Sequence, residues 1–533
     1  MRFFVIAAII FLNSQSALAD DILNTEPTTI QEWCERRQEF NEAVRTTIQY
    51  FMNTYSNDCE ELDSKLNAIE YLSLPRQTVT DLSFIAPLVN LESIDIALNN
   101  ITDFKFLRNM AKLRMLDLEN DAYGGPTVYD FSAFADLTEL VQLNLYGAVH
   151  SNDLTPLRNL KKLRWLDLRA SGEGLSDISG LAGLTNLKEL QLEDHNVKDL
   201  SPIATLTGLE KLIIETNEIH RDIEMLEPLQ NLTQLELSIS KDTQVHDYSP
   251  LSHLGSLKKL SISSNISSTD GGEPRVLIDD LSFLTGLDKL SHLQIFNLRM
   301  KNLNGLPALP NIQEVWFDDN DLTHIDGIEK LVGTRLLIIR GNRFTHFPAM
   351  KAMVNLEELI VSSNHVTNID GLTGLPKVRW LDLGYNELEH VDVLNTLPNL
   401  SDLLLDENKI QVLPDMSQLK RLKRVNAGEN NIRSIDGLRN CYALDGLRIA
   451  GNRELEDISA LQYLNLGAVS ISRTSVADFS PLANADLGEL FSADETPLLM
   501  GGVRASEENC PTDASVSKRL RAFCLDAQSR FPR

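Results

Sequence analysis

The sequence predicts an α/β solenoid, a right-handed coil in which each turn adds one short strand to a parallel sheet, with a helical cap at each end. Three observations carry that prediction. An apolar pattern of the form L-x-x-L-x-L-x-x-N-x-L recurs along most of the 533 residues, its spacing is a constant 22 from residue 320 to 452, and one cysteine pair sits near each end of the chain. Periods of about 20–50 residues are the mark of proteins that bury their core by stacking units rather than by folding one globule.

In chain order the first element is a leader. Arg2 precedes an apolar run from Phe3 to Leu12, and Ala17-Leu18-Ala19 supplies small residues for cleavage, so residues 1–19 read as a secretory signal peptide. Residue 20 is Asp, which offers no acceptor for lipid attachment, and no later run reaches the roughly 18 apolar residues that span a bilayer. The mature chain is expected outside the cytoplasm, secreted or periplasmic, without membrane insertion.

Residues 20–68 read as an N-terminal helical cap. Phe40, Val44, Ile48, Phe51 and Tyr55 recur at helical spacing and define one apolar face, which Cys34 and Cys59 bracket. An open solenoid needs such a cover because its end coils would otherwise expose apolar edges.

Residues 69–500 carry the repeat. Clear copies are Leu356-Glu-Glu-Leu359-Ile-Val361-Ser-Ser-Asn364 and Leu400-Ser-Asp-Leu403-Leu-Leu405-Asp-Glu-Asn408. With the Asn slot as a ruler, successive coils place it at Gln77, Asn99, Asp121, Ala148, Ser171, His195, Asn217, Ser240, Asn265, Lys301, Asn320, then every 22 residues to Asn452, and finally at Thr474 and Glu495. Alternating apolar residues give a short strand whose inward Leu, Ile and Val form the core, and the Asn amide can satisfy backbone groups of adjacent coils. Segments such as Asp199-Leu-Ser-Pro-Ile203 and Asp177-Ile-Ser-Gly-Leu181 supply a helical turn on the opposite side, and Ile-Asp-Gly-Ile/Leu takes that place at 325–328, 369–372 and 435–438.

Here the chain resembles the internalin-like group of bacterial leucine-rich repeats, best in Asp199-Leu-Ser-Pro-Ile-Ala-Thr-Leu-Thr-Gly-Leu209. The resemblance covers roughly residues 69–500. It implies a leucine-rich-repeat solenoid, horseshoe or arc in outline, and a protein ligand held on the concave strand face by the x positions of L-x-x-L-x-L.

Residues 501–533 read as the C-terminal cap, where Cys510 and Cys524 bracket Val516, Leu520 and Phe523. In an oxidising compartment the economical pairing is Cys34 with Cys59 and Cys510 with Cys524, each worth about 3 kcal/mol on the loop-entropy model. Cys441 aligns with Leu375, Leu397 and Leu419 and is expected to be a buried hydrophobe.

The net charge of −27, or −28 once Arg2 leaves with the leader, disfavours nucleic acid and anionic lipid as partners. No G-x-S-x-G, H-E-x-x-H or G-x-x-x-x-G-K-[ST] occurs, so no catalytic residues, metal or cofactor are assigned and the chain is not expected to be an enzyme. His324, His346 and His390, and separately Asp95, Asp117, Asn144 and Asp167, fall in equivalent slots of neighbouring coils. An exposed polar row and a solvated acidic face are the preferred readings of the two sets.

The residues flanking the second Leu of each repeat should face outward, onto the concave side. These slots are mainly polar in the first eight coils and then turn apolar. Ile295, Trp316, Leu336, Ile338, Ile360, Trp380 and Leu404, with Arg340 at the margin, are the expected binding surface for a protein partner. The alternatives are an envelope-associated structural spacer without a specific ligand, or an inhibitor of a secreted hydrolase. The Gly- and Pro-rich insertion 267–274 is read as an exposed loop.

Overall fold

The computed structural model describes residues 26–530 except 75, 77–78, 121–124, 171–174, 196, 198, 217–220, 240–244, 265–277, 488–490, 501–502, 504 and 514–515. The expected leader 1–19, the insertion 267–274 and the ruler positions Gln77, Asp121, Ser171, Asn217, Ser240 and Asn265 lie outside the described residues. The chain divides into two compact units, residues 1–218 and 219–533.

The first unit opens on the helices Ile30–Glu35, Glu42–Thr54 and Cys59–Asn67. Asn41 caps the second by accepting the Val44 N–H at 3.0 Å, so that helix starts after Phe40, whose ring instead packs 4.5 Å from Trp33. Val44, Ile48 and Phe51 are buried, and Phe51 meets Phe84 of the first coil at 5.3 Å, which seals the apolar end. The Cys34–Cys59 disulfide, Cα atoms 5.6 Å apart, ties the first and third helices together. Short strands follow from Tyr71–Ser73 to Lys211–Thr216, each parallel to the next.

The second unit repeats the scheme from Gln234–Ile239 to Phe491–Ser492, again in parallel register coil by coil. Its end is covered by the helix Lys518–Arg530, whose Phe523 lies 4.9 Å from Phe479 and 5.5 Å from Phe491. The Cys510–Cys524 disulfide fastens that cap, and Cys441 is a buried thiol in a Leu slot.

Period-2 alternation in the strands and the 22-residue unit explain the core together. Leu359 and Val361 are fully buried while Glu358 before them and Ile360 between them are not, and the same holds in the coils on either side. The ruler Asn side chains turn the chain inward. Asn342 donates to the Phe317 carbonyl of the preceding coil at 2.8 Å and accepts the Leu322 N–H at 3.0 Å, and Asn386, Asn408, Asn430 and Asn452 repeat both bonds. A buried amide with four such bonding sites satisfies two coils at once, which Leu cannot do.

In most coils with three-residue strands the residue before the ruler position takes a left-handed conformation: Leu98, Asp319, Ser363, Tyr385, Glu407 and Glu429 at φ 50–60°, and Gly341 and Gly451 at φ 67° and 79°, whereas Thr216, Ile239 and Ser264 before their ruler positions end longer strands. This mark corrects the ruler twice. Asn297 (φ 58°), together with the register that pairs Gln294 with Trp316, assigns the slot to buried Leu298, not exposed Lys301, a second left-handed residue, Arg299 (φ 55°), following it, and Glu495 (φ 56°) assigns the last to buried Thr496. On the opposite side, Asp177, Asp199 and Asp457 each accept the backbone N–H two residues on, at 2.7–2.9 Å, and so initiate the short helical turns. The Ile-Asp-Gly form has its own reasons: a Cβ on Gly371 or Gly437 would lie 2.3 or 2.1 Å from the Pro348 or Pro414 carbonyl oxygen of the preceding coil, and Gly327 has a left-handed φ of 99°.

Candidate functional site

The register of the second unit lines up the outward side chains in columns. One column runs His292, Glu314, Leu336, Glu358, Trp380, Asp402, and the next runs Gln294, Trp316, Ile338, Ile360, Asp382, Leu404. Trp316, Ile338 and Ile360 therefore stand side by side on three adjoining strands, with Leu336, Trp380 and Leu404 around them. All six are half-buried, and Arg340 at the margin is exposed.

Ile295 does not belong to this surface. It is fully buried, because its coil reads Leu290-x-x-Leu293-x-Ile295 with Leu298 in the ruler slot, three residues earlier than Lys301. The side chains that do face outward on that strand are His292, Gln294 and Phe296. Phe296 thus extends the apolar surface by an aromatic ring that the misplaced ruler hid. Asn297, next in the chain, belongs to the left-handed turn.

Charged groups frame the stripe, and most are neutralised in place. Arg340 Nε reaches Asp318 at 3.1 Å, Arg335 and Arg379 both engage Glu357, Arg379 also engages Glu358, and Arg424 pairs with Asp402. Burial pushes the Asp318 carboxyl above the usual range, an effect that Arg340 opposes. His292 lies 3.5 Å from Glu314. These two, with Glu236, Lys259, Gln294 and Trp316, line a depression of about 320 Å³ beside the stripe.

Asp382 and Asp406 differ from the other carboxylates. Asp382 Oδ1 accepts the Gly384 N–H at 3.0 Å, and Asp406 Oδ1 accepts from the Asn426 amide at 2.8 Å. Both carboxylates converge above Gly384, where a Cβ would sit 3.2 Å from Asp406 Oδ1 and 3.3 Å from Asp382 Oδ1. Burial raises the Asp406 carboxyl, and the facing Asp382 adds to that. Among the described residues neither acid is in an ion pair.

The equivalent slots in the first unit are built differently. Ser73, Asp95, Asp117, Asn144, Asp167 and Gln191 form one column in register. Ser73 donates to Asp95 at 2.9 Å, Asn144 donates to Asp117 at 3.0 Å, and Arg169 grips Asp167 through Nη2 at 2.7 Å while lying 5.3 Å from the Tyr146 ring. His324, His346 and His390 are exposed. Among the described residues no cluster of three or more His, Cys, Asp or Glu side chains is arranged to hold a metal ion.

Comparison with known proteins is consistent with this geometry. The leucine rich repeat family model matches residues 354–410. A leucine-rich-repeat protein of Leptospira interrogans superposes with a TM-score of 0.57 at 19% identity, covering 76% of this chain and 96% of that one. Internalin C2 of Listeria monocytogenes is 30% identical over 40% of this chain and 91% of its own, with a TM-score of 0.34. The ectodomain of a plant receptor kinase of Arabidopsis thaliana, solved in complex with CASPARIAN STRIP INTEGRITY FACTOR 2, is 19% identical over 78% of this chain and 62% of that one, with a TM-score of 0.43. A search of curated sequences finds no match. Neither the family model nor the Leptospira structure indicates a catalytic family.

Proposed function

We propose that this chain, an internalin-like leucine-rich-repeat protein, is a binding scaffold that works outside the cytoplasm and holds a protein partner on the outward face of the strands from Glu314 to Leu404. The observation that carries the reading is the adjoining trio Trp316, Ile338 and Ile360, flanked by Leu336, Trp380 and Leu404, on a face that no element of the second unit covers among the described residues. Soluble proteins keep apolar side chains contiguous at the surface where something else will cover them. The rigid backbone beneath favours it too: each strand is pinned by an Asn ladder, so the surface is presented with little ordering cost on binding.

An extracellular setting is supported by the leader-like residues 1–19 and by the disulfides of both caps. No described helix is long and apolar enough to cross a membrane.

The test is affinity capture from the secretome of the producing organism, run in parallel with wild type, Trp316→Ala and Trp380→Ala. A protein recovered by wild type and lost by both folded variants supports the reading. Equal recovery by all three rejects this face as the binding surface.

A further inference from the structure

We propose that the partner segment seated on this face carries a basic side chain, Lys or Arg, next to its apolar anchors, and that this side chain docks over Gly384 between the carboxylates of Asp382 and Asp406. The inference rests on the binding face proposed above and specifies the chemistry of its occupant as a stretch of polypeptide rather than a lipid or nucleic acid.

Three observations converge on it. The first is placement: Asp382 occupies the same column as Trp316, Ile338 and Ile360, one strand beyond Ile360, and Leu404 follows it, so the carboxylate interrupts an apolar row rather than sitting at a polar rim. The second is charge balance. Asp318, Glu358 and Asp402 on the surrounding strands are each held by an arginine, whereas Asp382 and Asp406 have backbone and amide donors and no cation. The third is convergence, because both carboxylates close over buried Gly384, their Oδ1 atoms 3.2 and 3.3 Å from where its Cβ would be, so that one donor arriving from the outward side can reach the two together.

Other groups near the pair do not neutralise it. Arg448 favours the ionised form of Asp406 from two strands away, and Glu407 opposes it. Two carboxylates brought together in a half-buried place repel each other, and a donor shared between them relieves both that repulsion and the lost hydration. A guanidinium or ammonium group suits the pair, since either donates to two oxygens at once. Adjacent strands are about 4.8 Å apart and an extended peptide advances about 3.3 Å per residue, so the basic residue should lie within about two to four positions of an aromatic or aliphatic anchor. The net charge of −27 also favours approach of a basic segment.

The experiment is selection of a random peptide library, displayed on phage, against the full chain, followed by affinity measurement with synthetic copies of the enriched peptides. The expected peptides combine a large apolar residue with Lys or Arg at that spacing. Replacing the basic residue by Gln should weaken binding to wild type by about tenfold, and binding to the Asp382→Asn/Asp406→Asn variant much less. That variant keeps both side-chain shapes, and its circular dichroism should match wild type. Peptides that depend on Trp316 but carry no basic residue, or whose basic residue matters equally on wild type and variant, overturn this inference and leave the binding face standing. No enrichment, or peptides indifferent to Trp316→Ala, overturns the face and this inference together.

Discussion

The outward column of the first unit and that of the second occupy the same strand slots, yet one is closed and the other open. From Ser73 to Asp167 the side chains of this column are polar and bond to one another, to Arg169 or to their own backbone, so the column is satisfied within itself, although the column beside it carries Tyr71, Met115 and Trp165. From Trp316 to Leu404 they are apolar except for Asp382, which faces Asp406 of another column and, among the described residues, has no ion-pair partner. The backbone is common to both, so the difference teaches that in this architecture function is written in the residues the fold leaves free. Internal bonding rather than polarity alone distinguishes a structural face from a recognition face.

The largest effect should come from crossing the sheet. Leu381→Ala empties a fully buried slot and should cost about 2–5 kcal/mol in chemical denaturation. Trp380→Ala, one residue away but outward, should cost less than about 1 kcal/mol. Equal losses would mean that the inside and outside of the sheet have been confused, and the comparison would collapse with them.

Next in size is the closed face. Asp167 is almost fully buried and receives both the Arg169 guanidinium and the Arg169 N–H, so Asp167→Ala should lower stability by about 2–3 kcal/mol. On the open face Trp316→Ala should leave stability within about 1 kcal/mol but remove about 2 kcal/mol of partner affinity, measured by calorimetry on the captured partner. An Asp167 variant that unfolds normally but loses the partner would move the recognition face to the first unit.

Much of this was legible in the sequence because stacking forces regularity. The Asn that serves two coils, the alternation of Leu with outward residues, the cap helices and the cysteine pairing all follow from local pattern, and Trp316, Leu336, Ile338, Ile360, Trp380 and Leu404 face outward as that pattern requires. The ruler failed at the last coil, where Thr496 and not Glu495 holds the slot, and with more consequence beside the insertion. There the ruler slot holds Leu298 in place of Asn, and counting to Lys301 turned Ile295 outward and concealed Phe296. The left-handed residue before the ruler cannot be read from composition, since Leu, Ser, Tyr and Glu all adopt it here. The Asp382–Asp406 pair was equally hidden, since it joins two different columns across Gly384.

The smallest predicted effect concerns protons. Asp117 on the closed face has its carboxyl raised, first by burial and then by Asp95 and Asp167, against the bonds from Glu119 N–H and Asn144. Asp406 on the open face is raised by burial and by Asp382. A raised folded-state value means that the folded chain holds the proton more tightly than the unfolded chain, so this contribution is fully present below the unfolded value near 3.8 and is lost as pH rises through the folded value. Asp117→Asn and Asp406→Asn should each flatten the acid side of a stability-against-pH curve, measured by urea denaturation. A bound basic segment should separate the two. It favours the ionised form of Asp406 and so cancels or reverses that residue's contribution, while Asp117, with no partner to meet, keeps its own. If both residues respond to the partner, the closed face is not closed, and if neither does, the pair above Gly384 is as self-contained as the first unit.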